Sequence, residues 1–184
     1  MPSGVGVASP ERLPPPYGPS RETRALGRTS RRSTARWRPV AGVVIEGYRV
    51  ASGASSESPY SAGSITLQVP RFRERGLDLS GYFPATLNIR AACKALDLTN
   101  PRYTFRNVVW TDHHGPEDFS FSPCEVEYHD TVYSGLIYYP HPSTKPGHQH
   151  PPNVVEVITK RIEGVEYGHV VTLYVDTSEV AIVE

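Results

Sequence analysis

Cysteine is nearly absent: Cys93 and Cys124 are the only two among 184 residues, and they form no CxxC pair. Two thiols so placed make neither a disulfide framework nor a cysteine zinc site, so both are expected to be buried and inert in a reducing, cytoplasmic compartment. Long apolar runs are missing too. None approaches the roughly 18 residues that a membrane span requires, and the N-terminal residues lack the apolar core of a secretory signal. No membrane partner is therefore expected. Net charge is absent: nineteen Lys and Arg balance nineteen Asp and Glu, which removes the whole-chain argument for nucleic acid. Helical periodicity is weak throughout, and there is no Walker loop, GxGxxG or GxSxG elbow.

The zero charge conceals a split. Residues 1–40 carry eight Arg and two Glu, a net +6, which leaves −6 for residues 41–184. Seven of the eighteen prolines fall in the first forty residues, with only scattered apolar side chains such as Leu13, Leu26 and Trp37. Such a segment buries too little to offset its ordering entropy, and it reads as a disordered basic tail, 1–40, before one domain, 41–184. The Arg, Ser and Thr without acids after position 22 also resemble an organelle transit peptide, but the prolines argue against its amphipathic helix. A flexible tail, or an overlong start to the reading frame, fits better.

From Gly42 the chain becomes a series of short β-type runs: 43–52, 64–69, 85–91, 103–110, 119–128, 131–139, 154–162, 169–176 and 179–183. Val, Ile, Thr and Tyr fill them, and Gly, Pro, Asn and Asp separate them. In the fifth run Phe121, Val126 and Tyr128 do not share parity, which predicts a bulge near Pro123. Residues 70–80 are expected to give at most a turn or two of helix, ended by Gly76. Eight or nine strands in about 140 residues predict an all-β, closed or nearly closed barrel, because closure removes exposed edges.

Loop 140–153 (PHPSTKPGHQHPPN) is too long to be a mere connection. It carries His141, His148 and His150, and three imidazoles can hold zinc. The prolines in the loop argue against all three converging, so solvated or phosphate-touching histidines are the better expectation. His113 and His114 make a second pair. Glu117 and Asp118 are a possible acid/base pair, though exposed turn carboxylates are commoner. Tyr60, Tyr82, Phe83, Trp110, Tyr138 and Tyr139 can stack on a flat heterocycle or simply fill a barrel core or rim.

Five segments occur in a telling order: GYRVASGASSESPY (47–60), GYFPATLNI (81–89), SGLIYYPHPSTK (134–145), NVVEVIT (153–159) and YGHVVTLYV (167–175). In this order they resemble the archaeal-type, CTP-dependent riboflavin kinases, across about residues 42–183 and most specifically at TLNI. The resemblance implies a compact six-stranded cradle-loop barrel that transfers a phosphoryl group from a nucleoside triphosphate, CTP in the family, to riboflavin, giving FMN. It also implies that Thr86 and Asn88 bind the Mg²⁺ that bridges the phosphates. Two residues apart on a strand, they share a face, and hydroxyl and amide oxygens are hard ligands suited to Mg²⁺. Ser52, Gly53 and Ser55 correspond to the loop that meets the nucleotide phosphates. Lys145 or His141 is expected to neutralise developing charge, and Glu156 is a candidate base for the ribityl hydroxyl.

The departures fall in that loop, where Ser55 and Glu57 occupy glycine positions, and at Ala85, which replaces the glycine before the signature Thr. A carboxylate at position 57 is unfavourable beside a polyanion unless it turns outward or helps hold metal. Two alternatives follow: a barrel that binds flavin or nucleotide without transfer, and a metal-dependent enzyme that uses the His-rich loop. Fold alone does not separate them.

Overall fold

The computed structural model describes residues 36–48, 51, 60, 62–145, 147 and 149–184. Its elements run β1 (Trp37–Ile45), α1 (Ser64–Glu74), β2 (Leu87–Ala91), β3 (Ala95–Leu98), β4 (Tyr103–Val108), β5 (Glu117–Tyr128), β6 (Thr131–Pro140), β7 (Val154–Thr159), β8 (Val170–Asp176) and β9 (Val180–Val183). Strands β5-β6-β7-β2-β1-β8 are neighbours in that order, and β8 pairs back onto β5. The result is the closed antiparallel barrel that the β-rich pattern predicts. β4 extends the sheet beyond β5, and β3 with β9 forms a separate two-stranded ribbon.

Two cores lie on the two faces of β5, β6 and β7. Val44, Ile89, Val126, Ile137, Val157 and Leu173 belong to the cluster that fills the barrel. Phe119, Phe121, Leu136, Tyr138 and Ile158, of opposite parity, belong to a second cluster with Ile65 and Phe72 of α1. This division corrects the expected bulge at Pro123. The β5–β6 register runs unbroken from Phe119↔Pro140 to Tyr128↔Thr131. Phe121 and Val126 differ in parity because they serve different cores, not because the strand is irregular. Pro123 lies between the last residue of β5 paired with β4, Phe121, and the first paired with β8, Cys124. A missing ladder donor costs least at such a change of partner. The actual irregularity is in β4, between Phe105 and Val108. There Asn107 takes φ +53° and donates its amide to Asp118 Oδ1 at 2.8 Å.

The run 64–69, expected as a strand, is instead the first half of α1. Ile65, Gln68 and Phe72 are buried at helical spacing, and burial overrides the β-propensity of Ile, Thr and Val. Phe72 packs its ring 5.1 Å from Phe119 and 5.0 Å from Phe121. Gly76 ends the helix as expected. At φ +94° it donates to Arg73 O, and Leu77 donates to Phe72 O, each at 3.0 Å. This paired closure requires a left-handed residue.

The domain begins earlier than expected. Trp37–Val40 already pair with Asp176–Leu173 of β8, so four residues assigned to the tail belong to the barrel. Their Arg and Pro neighbours disguise a strand of which only Val40 is buried among those four. At its other end this strand stops at Ile45, short of the expected residue 52. β3 was not foreseen. Cys124 is buried as expected, and burial pushes its thiol pKa far up. Cys93 is half-buried.

Candidate functional site

The outward face of three neighbouring strands carries a polar row within an otherwise apolar layer. Asn88 of β2 lies opposite Glu156 of β7, and Glu156 lies opposite Tyr138 of β6. Cross-strand partners sit on one face with their Cβ atoms about 5 Å apart. Thr86, just before β2, donates its hydroxyl to Glu156 Oε1 at 3.2 Å. Lys145 reaches in from the loop after β6, with Nζ 3.5 Å from Glu156 Oε2. The turn His141–Lys145 positions it, since the amides of Thr144 and Lys145 both donate to His141 O. Thr86, Glu156 and Lys145 thus converge, with Asn88 the neighbour of Glu156 across the β2–β7 ladder.

Two clefts flank this group. One, of about 350 Å³, includes Lys145 and Glu156 with Tyr138, Tyr139, His150 and Val154 in its lining. The other, of about 600 Å³, is walled by Phe83, Thr86, Val157, Lys160, Arg161 and Val165. Both volumes suit small-molecule binding. The Thr86–Glu156 hydrogen bond spans from the lining of one to that of the other. At the larger cleft Phe83 is 42% exposed, with the Arg161 guanidinium 5.7 Å from its ring centre.

Behind the row the environment is buried. Tyr138 donates to Gln68 Oε1 of α1 at 2.9 Å. Burial, together with the charges of Glu156 and Glu117, raises its pKa well above the ordinary phenol value. Glu117 starts β5 and is only 4% exposed, which corrects its reading as an exposed turn carboxylate. Its Oε2 accepts from Trp110 Nε1 at 2.9 Å, and Oε1 lies 3.7 Å from His114 Nε2. Burial raises its pKa, against the opposing effects of Trp110, His114 and Lys145. Tyr60 packs on Trp110 with ring centres 4.9 Å apart. Asp118, on the opposite strand face, is also buried. The Asn107 amide and Arg106 lower its pKa.

The predicted residues therefore divide. His141 lies on the other face of the β6 line: its Nε2 is 2.8 Å from Ser120 Oγ, and its ring packs on Tyr139. Burial and Arg106 lower its pKa. His150 packs against Tyr48 with ring centres 5.1 Å apart. Among the described residues no three His, Cys, Asp or Glu side chains are grouped to hold a metal. Ser52, Gly53, Ser55, Glu57 and His148 lie outside the described residues. Gln68 and the buried hydroxyl of Tyr138 went unnoticed in the sequence, because seventy positions separate the two partners. No short-range pattern encodes their meeting.

A hard cation fits the donor set. Asn88 is 9% exposed, and its buried Oδ1 has no hydrogen-bond partner among the described residues. Gly47 packs so tightly on the same side chain that a Cβ there would lie 2.1 Å from Asn88 Nδ2. An amide oxygen without a donor, on the strand paired to the one that carries Glu156, joins a hydroxyl and a carboxylate as an oxygen-only set of the kind Mg²⁺ takes. No family model matches the chain, and no curated protein matches it.

Proposed function

We propose that this protein transfers the terminal phosphoryl group of a nucleoside triphosphate, with CTP the first candidate, to riboflavin, giving FMN in an Mg²⁺-dependent reaction. One observation carries the reading. Thr86, one of the two residues that the family resemblance assigns to metal, lines the larger cleft and is hydrogen-bonded to Glu156, which lines the smaller cleft with Lys145, while Asn88, the other, is buried directly opposite Glu156 in the sheet. Phosphoryl transfer needs this arrangement, with a donor pocket and an acceptor pocket on either side of a charge-neutralising group.

Thr86 Oγ1 and Asn88 Oδ1 would hold the ion, which supplies neutralisation of the phosphate oxygens when bound. Lys145, beside the smaller cleft, adds a second positive charge for the triphosphate. The larger cleft, with exposed Phe83 and with Val157 and Val165 in its wall, suits a flat tricyclic ring. Strands β2 and β7 fix Asn88 and Glu156 before substrate arrives, so orientation rather than covalent chemistry is what the protein contributes. The new bond joins the ribityl oxygen to phosphorus, the bond from phosphorus to the nucleoside diphosphate breaks, and the hydroxyl proton passes to water. Such a loose transfer asks little of a general base.

Incubating the folded protein with riboflavin, Mg²⁺ and each of the four common ribonucleoside triphosphates tests the reading. FMN is expected, fastest with CTP, and none when the divalent ion is chelated. No FMN from any of the four would overturn it.

A further inference from the structure

Glu156 departs from what a general base should look like. Both of its carboxylate oxygens are engaged, Oε1 by the Thr86 hydroxyl at 3.2 Å and Oε2 by Lys145 Nζ at 3.5 Å. Its side chain is 13% exposed and that of Lys145 is 22% exposed. It sits directly opposite Asn88, whose buried Oδ1 has no partner among the described residues. A hydroxyl, an amide oxygen and a carboxylate are therefore neighbours across β2 and β7, and among the described residues the one ion pair to them is from the Lys145 ammonium, at the end of a flexible stem.

We propose that Glu156 is the third protein ligand of the divalent ion, and that Lys145 is an exchangeable stand-in for it. In the metal-free protein Lys145 balances the carboxylate. When a divalent cation is bound to Thr86, Asn88 and Glu156, Lys145 gives up Oε2 and its charge becomes free to meet a phosphate. This rests on the reading of Thr86 and Asn88 as cation ligands. The physical reasoning is electrostatic. A largely buried carboxylate needs a compensating charge in every state. An ammonium is a point charge with three donors and can give the Asn88 oxygen a partner only at one of several positions, whereas a small divalent ion satisfies several hard oxygens at once. Lys145 comes from a loop, while the three ligands come from β2, β7 and the residue beside β2, so the exchange needs no strand to move.

The two cations compete for one carboxylate, and this gives an unusual sign. Removing a ligand should weaken metal binding, but removing Lys145 should strengthen it. The experiment uses the full chain without nucleotide and measures Mn²⁺ binding by the electron paramagnetic resonance of free ion and by water-proton relaxation. Lys145→Met should tighten Mn²⁺ at least tenfold, and Glu156→Gln should weaken it at least tenfold. Circular dichroism checks that each variant folds. If Glu156→Gln does not fold, Lys145→Met decides alone. Mn²⁺ affinity unchanged within twofold in Lys145→Met, or retained in Glu156→Gln, overturns the inference, as does absence of binding in both the wild type and Lys145→Met. If the Mn²⁺ pattern holds but no triphosphate yields FMN, the kinase reading fails and the cation site stands. If FMN forms while Mn²⁺ affinity ignores both substitutions, the kinase reading stands and the exchange is wrong.

Discussion

Arg36 lays its guanidinium on the carboxylate of Asp176, with Nε and Nη2 each 2.6 Å from Oδ2. Asp176 is fully buried, and among the described residues its nearest other cationic contact is Arg102 at 3.8 Å. The chain just before β1 is thereby fastened to the end of β8. Truncation after residue 40 should lower the urea midpoint and slope far more than truncation after residue 35, which keeps Arg36 and all of β1. Arg36→Ala should cost about 2 kcal/mol, the worth of a charge-assisted hydrogen bond to a buried group. Equal melts for the two truncations would show that this end of β1 does not matter.

The same pair predicts a pH dependence. Burial alone pushes the Asp176 carboxyl up, but hydrogen bonds from Arg36 and Ser178 outweigh it and hold the pKa at about 2. In the unfolded chain an Asp titrates near 3.9, so between these values the unfolded state binds more protons and stability rises with pH. The contribution is complete above about pH 4 and disappears as pH falls through about 2. The stability gap between wild type and Arg36→Ala should therefore narrow across that window. A gap that stays constant down to about pH 2 would assign the shift to other groups.

At Asn88 stability and activity should part company. Its Oδ1 is buried without a partner, and such a group costs about 1–3 kcal/mol in the folded state. Asn88→Ala removes that penalty along with some packing, so the melting temperature should change little or rise. Mg²⁺-dependent FMN formation should fall by orders of magnitude, and Thr86→Val should behave likewise. A destabilised Asn88→Ala with turnover intact in its folded fraction would mean that the amide serves structure only.

Gly47 offers a more remote test. Its missing Cβ leaves the space in which the Asn88 amide lies, 2.1 Å from where the methyl group would be. Gly47→Ala should push that flexible side chain aside with little loss of stability. Mn²⁺ affinity should drop about tenfold, roughly 1.4 kcal/mol. Unaltered affinity would show that Asn88 need not hold this pose.

Gln68 and Tyr138 should behave as a unit. Each is nearly inaccessible, and their hydrogen bond of 2.9 Å joins α1 to β6. Gln68→Leu leaves a buried phenol without an acceptor and should cost about 1–3 kcal/mol. Adding Tyr138→Phe should restore part of that loss, which gives a clear interaction energy in a double-mutant cycle. Additive losses would show that the bond is not worth forming.

What the sequence revealed follows the range of the interactions. β-branched runs marked most of the barrel strands, because alternation is a local property. The spacing of Thr86 and Asn88 is a local property too, although Thr86 falls just before β2 rather than within it. α1 was hidden because a polar residue, Gln68, occupies a core position, and because Pro70 lies inside the helix. Only the tertiary partner Tyr138 makes sense of that glutamine. Glu117 read as a solvated turn residue until Trp110, His114 and Lys145 were seen around it. His141 and Lys145 looked equivalent within one loop, yet the turn between them sends one to Ser120 and the other to Glu156.

Because both faces of β7 are committed, this strand has no spare residue. Val155 and Val157 fill the barrel, while Glu156 and Ile158 face the site and the outer core. A single-residue insertion or deletion within it would thrust the glutamate among the barrel valines and turn a valine toward Lys145. Insertions and deletions should therefore be tolerated in loop 141–153 and not within residues 154–159, whatever happens to the identities of the side chains there.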